Sequence, residues 1–257
     1  MPPIALTIAG SDPSGGAGIQ ADLKTFHRFG VYGEAAITLL TVQNSTRVSR
    51  VEVMPADLVI EQIEAVLEDI PPGAAKTGAL GSEEILRAVA RAAGRFDFPL
   101  VIDPVMVSKH GRPLLPAAAI RLMRDELLPC ATLITPNGPE AEALTGKHIC
   151  GSDELRRAAE EILTMGPRAV LIKGGHLPGE AVDLLWDGSQ WEEFPAPRIG
   201  TRHTHGTGCT YSAAITAGLA KGFSLREAVA AGKKFIHDAI RTNPGLGRGS
   251  GPVNHWA

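Results

Sequence analysis

Short apolar runs alternate with longer stretches whose apolar positions recur at helical spacing, and this alternation persists along almost the whole chain. The runs Ile4–Ala9, Ala35–Val42, Ala74–Thr77, Leu100–Ile102, Thr132–Ile134 and Ala169–Ile172 are too short for helices and predict strands buried on both faces. Between them, Ile19–Phe29 predicts a helix. Over Asp57–Ile70, the residues Val59, Ile63, Val66, Leu67 and Ile70 form a core-facing stripe that Pro71-Pro72-Gly73 stops. Ser82 predicts an N-cap, with Glu83 and Glu84 in the electropositive first turn that follows. Further helices are expected near Ala117–Leu127, from Pro139, over Asp153–Leu163, after Thr210 and over Leu225–Thr242. Val182–Trp186, a turn at Asp187-Gly188 and Gln190–Phe194 predict a hairpin. Strand–helix alternation with no linker or repeat predicts one α/β domain over residues 1–257. Its sheet is expected to be mainly parallel, with ligands gathering at the carboxyl ends of the strands.

Composition narrows the picture without changing it. With 44% hydrophobic residues in 257, the chain can bury a sizeable core. A net charge of −3 with interspersed signs argues against a nucleic-acid or anionic-membrane surface. Three cysteines, Cys130, Cys150 and Cys209, are too few and too scattered for a disulfide framework or a paired-cysteine zinc site. The amino-terminal stretch lacks a basic region and turns glycine-rich too soon for a signal peptide, and no apolar run reaches membrane-spanning length. A cytoplasmic location is the expectation, in which Asn44-Ser45-Thr46 matches a glycosylation pattern by chance.

The chemistry concentrates where strands end. His203-Thr204-His205-Gly206-Thr207-Gly208-Cys209-Thr210 runs into the Ala-rich segment that follows. The first-turn N–H groups of a helix lack internal partners and its dipole is positive there, so a glycine-flanked entry can cradle a phosphate. Cys209 sits at the mouth of that nest, where the dipole favours a thiolate able to take a proton from an alcohol. Alone, the stretch is equally compatible with a tight turn and an inert cysteine. His203, His205 and Cys209 also suggest zinc, but no fourth ligand is apparent and the glycines suit phosphate better.

Gly16-x-Gly18-x-x-Ala21 loosely satisfies a dinucleotide fingerprint, yet the next strand ends at Gln43 and not at the acidic residue a ribose needs. Gln43 can donate and accept toward a heterocycle edge, though an ordinary polar strand end is the simpler reading. Asp103, after Leu100–Ile102, is suited to a magnesium or phosphate side, or merely to starting an Asp-Pro turn. Asn137 and Glu140 fall near one spot beyond a strand, where they can serve a ligand or cap a helix. Lys173, followed by Gly174-Gly175-His176, suits a phosphate. No Gly-x-x-x-x-Gly-Lys-Ser/Thr pattern exists, which excludes a P-loop phosphotransferase.

Together these motifs resemble a known family. Ala9-Gly10-Ser11-Asp12-Pro13-Ser14-Gly15-Gly16-Ala17-Gly18, Thr41-Val42-Gln43-Asn44, Asp103-Pro104-Val105-Met106, Thr135-Pro136-Asn137-Gly138-Pro139-Glu140, Lys173-Gly174-Gly175-His176, the Gly-Thr-Gly-Cys stretch and the Gly251-Pro252-Val253-Asn254-His255 end are similar, in order, to the hydroxymethylpyrimidine/phosphomethylpyrimidine kinases of thiamine biosynthesis. The resemblance implies a ribokinase-like α/β fold, a homodimer, ATP as co-substrate and Mg2+. It implies two successive phosphorylations, of the pyrimidine alcohol and then of its monophosphate.

By the same resemblance, Gly10, Ala17, Asp22, Gln43 and Val105 bind the pyrimidine. Asn137, Lys173, Gly206, Thr207 and Gly208 bind ATP and its phosphates, with Asp103 and Glu140 at the metal. Cys209 is the base, at the place where sugar kinases of this fold carry an aspartate, and Lys173 assists. One departure is Lys76-Thr77-Gly78-Ala79, where many relatives read Lys-Ile-Gly-Met. Two rivals are a pyridoxal kinase of the same fold and a non-catalytic sensor. Retention of Lys173, Glu140 and Cys209 together speaks against the sensor.

Overall fold

The computed structural model describes residues 2–109, 111–176 and 180–257, the side chain of His176 excepted. Its strands are β1 (Ile4–Ser11), β2 (Tyr32–Asn44), β3 (Arg47–Val53), β4 (Ala74–Thr77), β5 (Leu100–Ile102), β6 (Leu133–Ile134), β7 (Val170–Ile172), β8 (Asp183–Trp186) and β9 (Trp191–Phe194). They form one sheet in the order β3-β2-β1-β4-β5-β6-β7-β8-β9. The six strands from β2 to β7 in that order run parallel, and β3, β8 and β9 are antiparallel additions at the two edges.

The helices are α1 (Gly18–Arg28), α2 (Ala56–Asp69), α3 (Glu83–Ala93), α4 (Ala119–Leu122), α5 (Gly138–Thr145), α6 (Ser152–Leu163), α7 (Thr207–Ala220) and α8 (Leu225–Arg241). Period-two alternation explains how both faces of the sheet are covered. Leu6, Ile8, Leu100 and Ile102 point into one core with residues of α2 to α6. Val101, Leu133 and Leu171 point the other way, against α7 and α8, while Ala5 meets α1 and α7. Each fully buried Leu or Ile stabilises the fold by about 1.5–3 kcal/mol, so the short central strands are held by side-chain burial more than by their length. Helix α7 is buried continuously from Thr210 to Gly218, and its small side chains let it lie against β1, β4 and β5 between α1 and α8.

The hydrophobic pattern locates most elements to within a few residues and misses one. Strand β3 was not expected: its valines alternate with arginine, serine and glutamate, and it is an exposed edge held by backbone pairing to β2. That pairing also lengthens β2 beyond the expected Ala35–Val42. Asn44 closes the resulting hairpin, its Oδ1 accepting from the Thr46 and Arg47 backbone N–H groups and from the Thr46 hydroxyl. The helix expected near Ala117–Leu127 is instead short α4 followed by a π-helical turn at Met123–Leu127. This widened turn carries Met123, Leu127 and Leu128 into the same core. No described helix is long and apolar enough to cross a membrane.

Candidate active site

Strand β1 has β2 on one side and β4 on the other, so chain order reverses across it. The connection from β1 leads to α1 on one face and that from β4 leads to α3 on the opposite face. Diverging loops at such a switch point leave a crevice at the strands' carboxyl ends. A cleft of about 790 Å³ opens there and extends along the edge to the end of β7.

At the β1 end its walls include Gly10, Ala17, Gln43, Ala79 and Val105. The loop after β1 is folded tightly on itself. A Cβ at Gly18, where φ is +57°, would lie 2.1 Å from the Gly10 carbonyl oxygen, which only glycine avoids. Asp12 pins this loop: Oδ1 accepts from Ser14 N, and Oδ2 accepts from Ser14 Oγ and Ala17 N, each at 2.9 Å. Gln43 lies on β2 where pairing with β3 slips, Ser49 of β3 being an extra residue between the partners of Val42 and Gln43. A bulge bends its strand and increases the local twist of the pair, so it shapes the strand end that carries Gln43. The Gln43 amide nitrogen lies 3.1 Å from Nε2 of His205.

Asp22 is not part of the lining. It is fully buried behind the wall, its carboxylate accepting from the Thr7 hydroxyl at 2.7 Å and from the Lys76 ammonium at 2.8 Å.

At the other end, β5 and β7 deliver Asp103 and Lys173 side by side, with Lys173 Nζ 3.0 Å from Asp103 Oδ1. Both stand against Gly208, where a Cβ would lie 3.4 Å from the lysine nitrogen and 3.5 Å from Asp103 Oδ2. Burial alone would lower the Lys173 ammonium, but the carboxylates of Asp103 and Glu140 outweigh it and raise its pKa. Burial pushes the Glu140 carboxyl up to about 7, Lys173 opposing and the charge of Asp103 adding. Asn137 and Glu140 form a reciprocal capping box at α5, Asn137 N donating to Glu140 Oε2 at 2.8 Å and Glu140 N to Asn137 Oδ1 at 2.9 Å. The helix-capping role is therefore real, and both residues also line the cleft.

Gly206 caps α7 with φ of 77°, and Thr207, Gly208 and Cys209 are its first three residues. All four line the cleft, with their first-turn N–H groups at its edge. The expected thiolate at Cys209 is not favoured. Burial pushes the thiol up to about 12, with Lys76 opposing and Asp22 and Asp103 adding to the rise. The zinc alternative also fails. His205 Nε2 is held 2.7 Å from Asp12 Oδ2, His203 Nδ1 accepts from Gly251 N, and no group of three potential ligands exists among the described residues.

Several contributors were not singled out from sequence. Asp183 Oδ1 accepts from Gly174 N and its Oδ2 pairs with Lys233 at 2.7 Å, anchoring the turn after Lys173 to β8. Asp12 and Lys76 join elements far apart in sequence, and so does His205, which the sequence offered only as a zinc ligand. The signal available for them was only their place inside glycine-rich motifs.

With this geometry in view, the family model for phosphomethylpyrimidine kinase matches residues 12–254. The chain is 50% identical over 257 residues to the hydroxymethylpyrimidine/phosphomethylpyrimidine kinase of Streptomyces coelicolor, covering 100% of this chain and 96% of that protein. Its structure is similar to that of the Bacillus subtilis pyridoxal kinase in an ADP complex, with TM-score 0.93, 41% identity and coverage of 100% of this chain and 98% of the other. It is similar also to the phosphomethylpyrimidine kinase of Clostridium difficile, with TM-score 0.82, 47% identity and coverage of 92% and 99%.

Proposed function

The chain belongs to the phosphomethylpyrimidine kinase family, and from that premise we propose that it transfers the γ-phosphoryl group of ATP to the hydroxymethyl oxygen of 4-amino-5-hydroxymethyl-2-methylpyrimidine, then phosphorylates the monophosphate to the diphosphate used in thiamine biosynthesis. It works in the cytoplasm as a homodimer. The observation that carries this reading is a single cleft with an amide-bearing wall at one end and, at the other, Lys173, Asp103 and the first turn of α7 around Gly208.

The residues divide the work along the cleft. Gln43 reads the pyrimidine edge between Gly10, Ala17 and Val105, while Asp22, behind the wall, acts on the substrate only through Lys76 and the α1 loop. Lys173 and the N–H groups of Gly206, Gly208 and Cys209 hold the phosphoryl group as its charge redistributes, the Thr207 N–H being taken by the Thr204 carbonyl, since catalysis of this transfer is mostly positioning and charge stabilisation. Asn137 orders the loop beside the nucleotide. Cys209 accepts the proton of the alcohol in the first reaction; the second starts from a phosphate oxygen that is already ionised.

Asp103 and Glu140 fit the protein's share of a Mg2+ site. Magnesium commonly uses one or two carboxylates together with substrate phosphates, and Asp103 and Glu140 are two buried carboxylates on one cleft, the Glu140 carboxyl raised first by its burial and further by the charge of Asp103. Bound there, the ion supplies neutralisation of phosphate charge.

A second reading, phosphorylation of the hydroxymethyl group of pyridoxal, is favoured by the likeness to a pyridoxal kinase and by Ala79, whose small side chain leaves room in the wall. A coupled assay of ADP release, run in parallel with hydroxymethylpyrimidine, its monophosphate and pyridoxal, tests both. The expected result is turnover of both pyrimidines exceeding that of pyridoxal; pyridoxal turnover alone, or none with any of the three, overturns the proposal.

A further inference from the structure

Two glycine-rich loops meet beside Gln43, and the contact is made by a buried histidine. A Cβ on Gly206 would lie 1.7 Å from the Gly16 carbonyl oxygen, and one on Gly16 would lie 2.6 Å from Cδ2 of His205. The backbone of His205 is held as well, its N–H donating to the Gly251 carbonyl and its carbonyl accepting from Val253 N. The imidazole is therefore fixed by the tail on one side and the Gly16 backbone on the other, and its Nδ1 is buried without a partner.

The ring's remaining nitrogen faces two groups at once. Nε2 lies 2.7 Å from Asp12 Oδ2 and 3.1 Å from the terminal amide of Gln43. Asp12 already accepts three hydrogen bonds from Ser14 and Ala17, which is the behaviour of an ionised carboxylate with no proton to give. Nε2 must then carry the proton, because a bare nitrogen 2.7 Å from a carboxylate oxygen would set lone pair against lone pair. Its single N–H is directed at Asp12 Oδ2, the nearer acceptor, so toward Gln43 the ring presents no lone pair and only a share of that hydrogen. The Gln43 amide must accordingly turn its carbonyl oxygen to the ring, since the oxygen and nitrogen of an amide exchange by a half-turn and the network decides between them.

We propose that Asp12 and His205 are positioning residues for Gln43: they lock its amide with the oxygen shared between the imidazole and the cleft and the –NH2 turned into the cleft. This rests on the reading of Gln43 as a contact of the pyrimidine. The locked amide offers a donor beside a half-used acceptor, which complements a ring nitrogen next to an exocyclic amine. It discriminates against rings that present an oxo group beside a ring N–H at that edge, because a free amide could turn to suit either and this one cannot. Specificity of the cleft for aminopyrimidines then comes in part from a residue pair that acts through Gln43.

The proton position is directly measurable in the intact protein. In full-length chain labelled with ¹⁵N-histidine, with the His205 signal identified by its loss in His205→Gln, Nε2 is expected to be protonated; a bare Nε2 overturns the proposal whatever the kinetic variants show. Kinetically, His205→Leu should raise KM for hydroxymethylpyrimidine about tenfold, the value of one lost hydrogen bond, with KM for ATP moving less than about twofold. His205→Gln, which returns an N–H near the Nε2 position, should restore the pyrimidine KM to within about threefold of the parent. Equal effects of the Leu and Gln variants, or equal rises in both KM values, mean a purely structural histidine and overturn the proposal. Gln43→Leu separates the two levels. A pyrimidine KM unchanged by Gln43→Leu removes the pyrimidine assignment of Gln43 itself. A KM raised by Gln43→Leu but unmoved by His205→Leu removes only the positioning role.

Discussion

Cys209 is where the two local effects on an ionisable group oppose each other. The amino-terminal turn of α7 favours a thiolate, but burial dominates and the nearby carboxylates of Asp22 and Asp103 add to it, so the thiol is pushed up to about 12. A base must be deprotonated to act, and below its pKa the deprotonated fraction grows tenfold for each pH unit. Turnover of the alcohol is therefore expected to climb from pH 7 to pH 9, while phosphorylation of the monophosphate stays much flatter. Cys209→Ala should cost the alcohol reaction about 10²–10⁴-fold, the usual contribution of a positioned base, and the monophosphate reaction far less. Product formation at saturating ATP measures both. Matching losses for the two substrates would reassign Cys209 to shaping the anion nest. The residue itself was legible from its place after Gly-Thr-Gly, but its acidity was not, because the opposing charges lie on α1, β4 and the end of β5.

At the scale of elements, the site depends on how α7 begins. Gly206 adopts φ of 77° to cap the helix, and the Gly16 carbonyl occupies the space where its Cβ would be. Gly206→Ala combines a left-handed backbone with a backbone clash, each difficult to relieve, and should destabilise the fold by about 1–3 kcal/mol or more. Both phosphorylations should fall together, since the N–H groups of the nest move with the loop. Gly200, with open space around it and no positive φ, is the control whose alanine variant should unfold with the parent. Thermal unfolding alongside the two assays measures this; a Gly206→Ala protein with normal stability and rates would mean the two loops do not need to meet. The same scale explains Gln43. It stands opposite the bulge in β3, and β3 has so little buried surface that its pattern does not announce a strand.

Across the whole molecule, one buried ion pair ties the centre of the sheet to its first helix. Lys76 of β4 donates to Asp22 of α1, which also accepts from Thr7 of β1, and both charged side chains are fully buried. Such a pair is worth little against apolar replacements, but losing one partner strands the other charge. Lys76→Met should therefore destabilise the protein by about 3–5 kcal/mol, and adding Asp22→Leu should recover most of that loss. Urea unfolding of the single and double variants decides it. A double variant no more stable than Lys76→Met would show that the pair contributes specific structure instead of mutual neutralisation. Because Lys76 opposes the rise in the Cys209 thiol and Asp22 adds to it, Lys76→Met alone should lose alcohol phosphorylation, and the double variant, which removes both charges, should lose less.

The local sequence determined the alternation of strands and helices, the hairpin β8–β9, the caps at Ser82 and Asn137, and the glycine-rich turns that line the cleft. These are consequences of periodicity, capping and backbone freedom, which act over a few residues and are therefore written in consecutive positions. The motifs beyond the strands, from Asp103 to Lys173 and Gly208, could be placed at one edge because parallel strands present all their carboxyl ends on the same side. Tertiary structure alone decided which of those residues face the cleft and which lie behind it. Asp22 reads as a site residue from its motif, yet the sheet places it against Lys76, fully buried. Asp12, His205 and Gln43 become one hydrogen-bonded unit only because β1, the end of β2 and the entry to α7 converge at the switch point. Desolvation and charge pairing depend on distance through space, so the acidity of Cys209 and Glu140 and the orientation of an amide follow from contacts that no local pattern encodes.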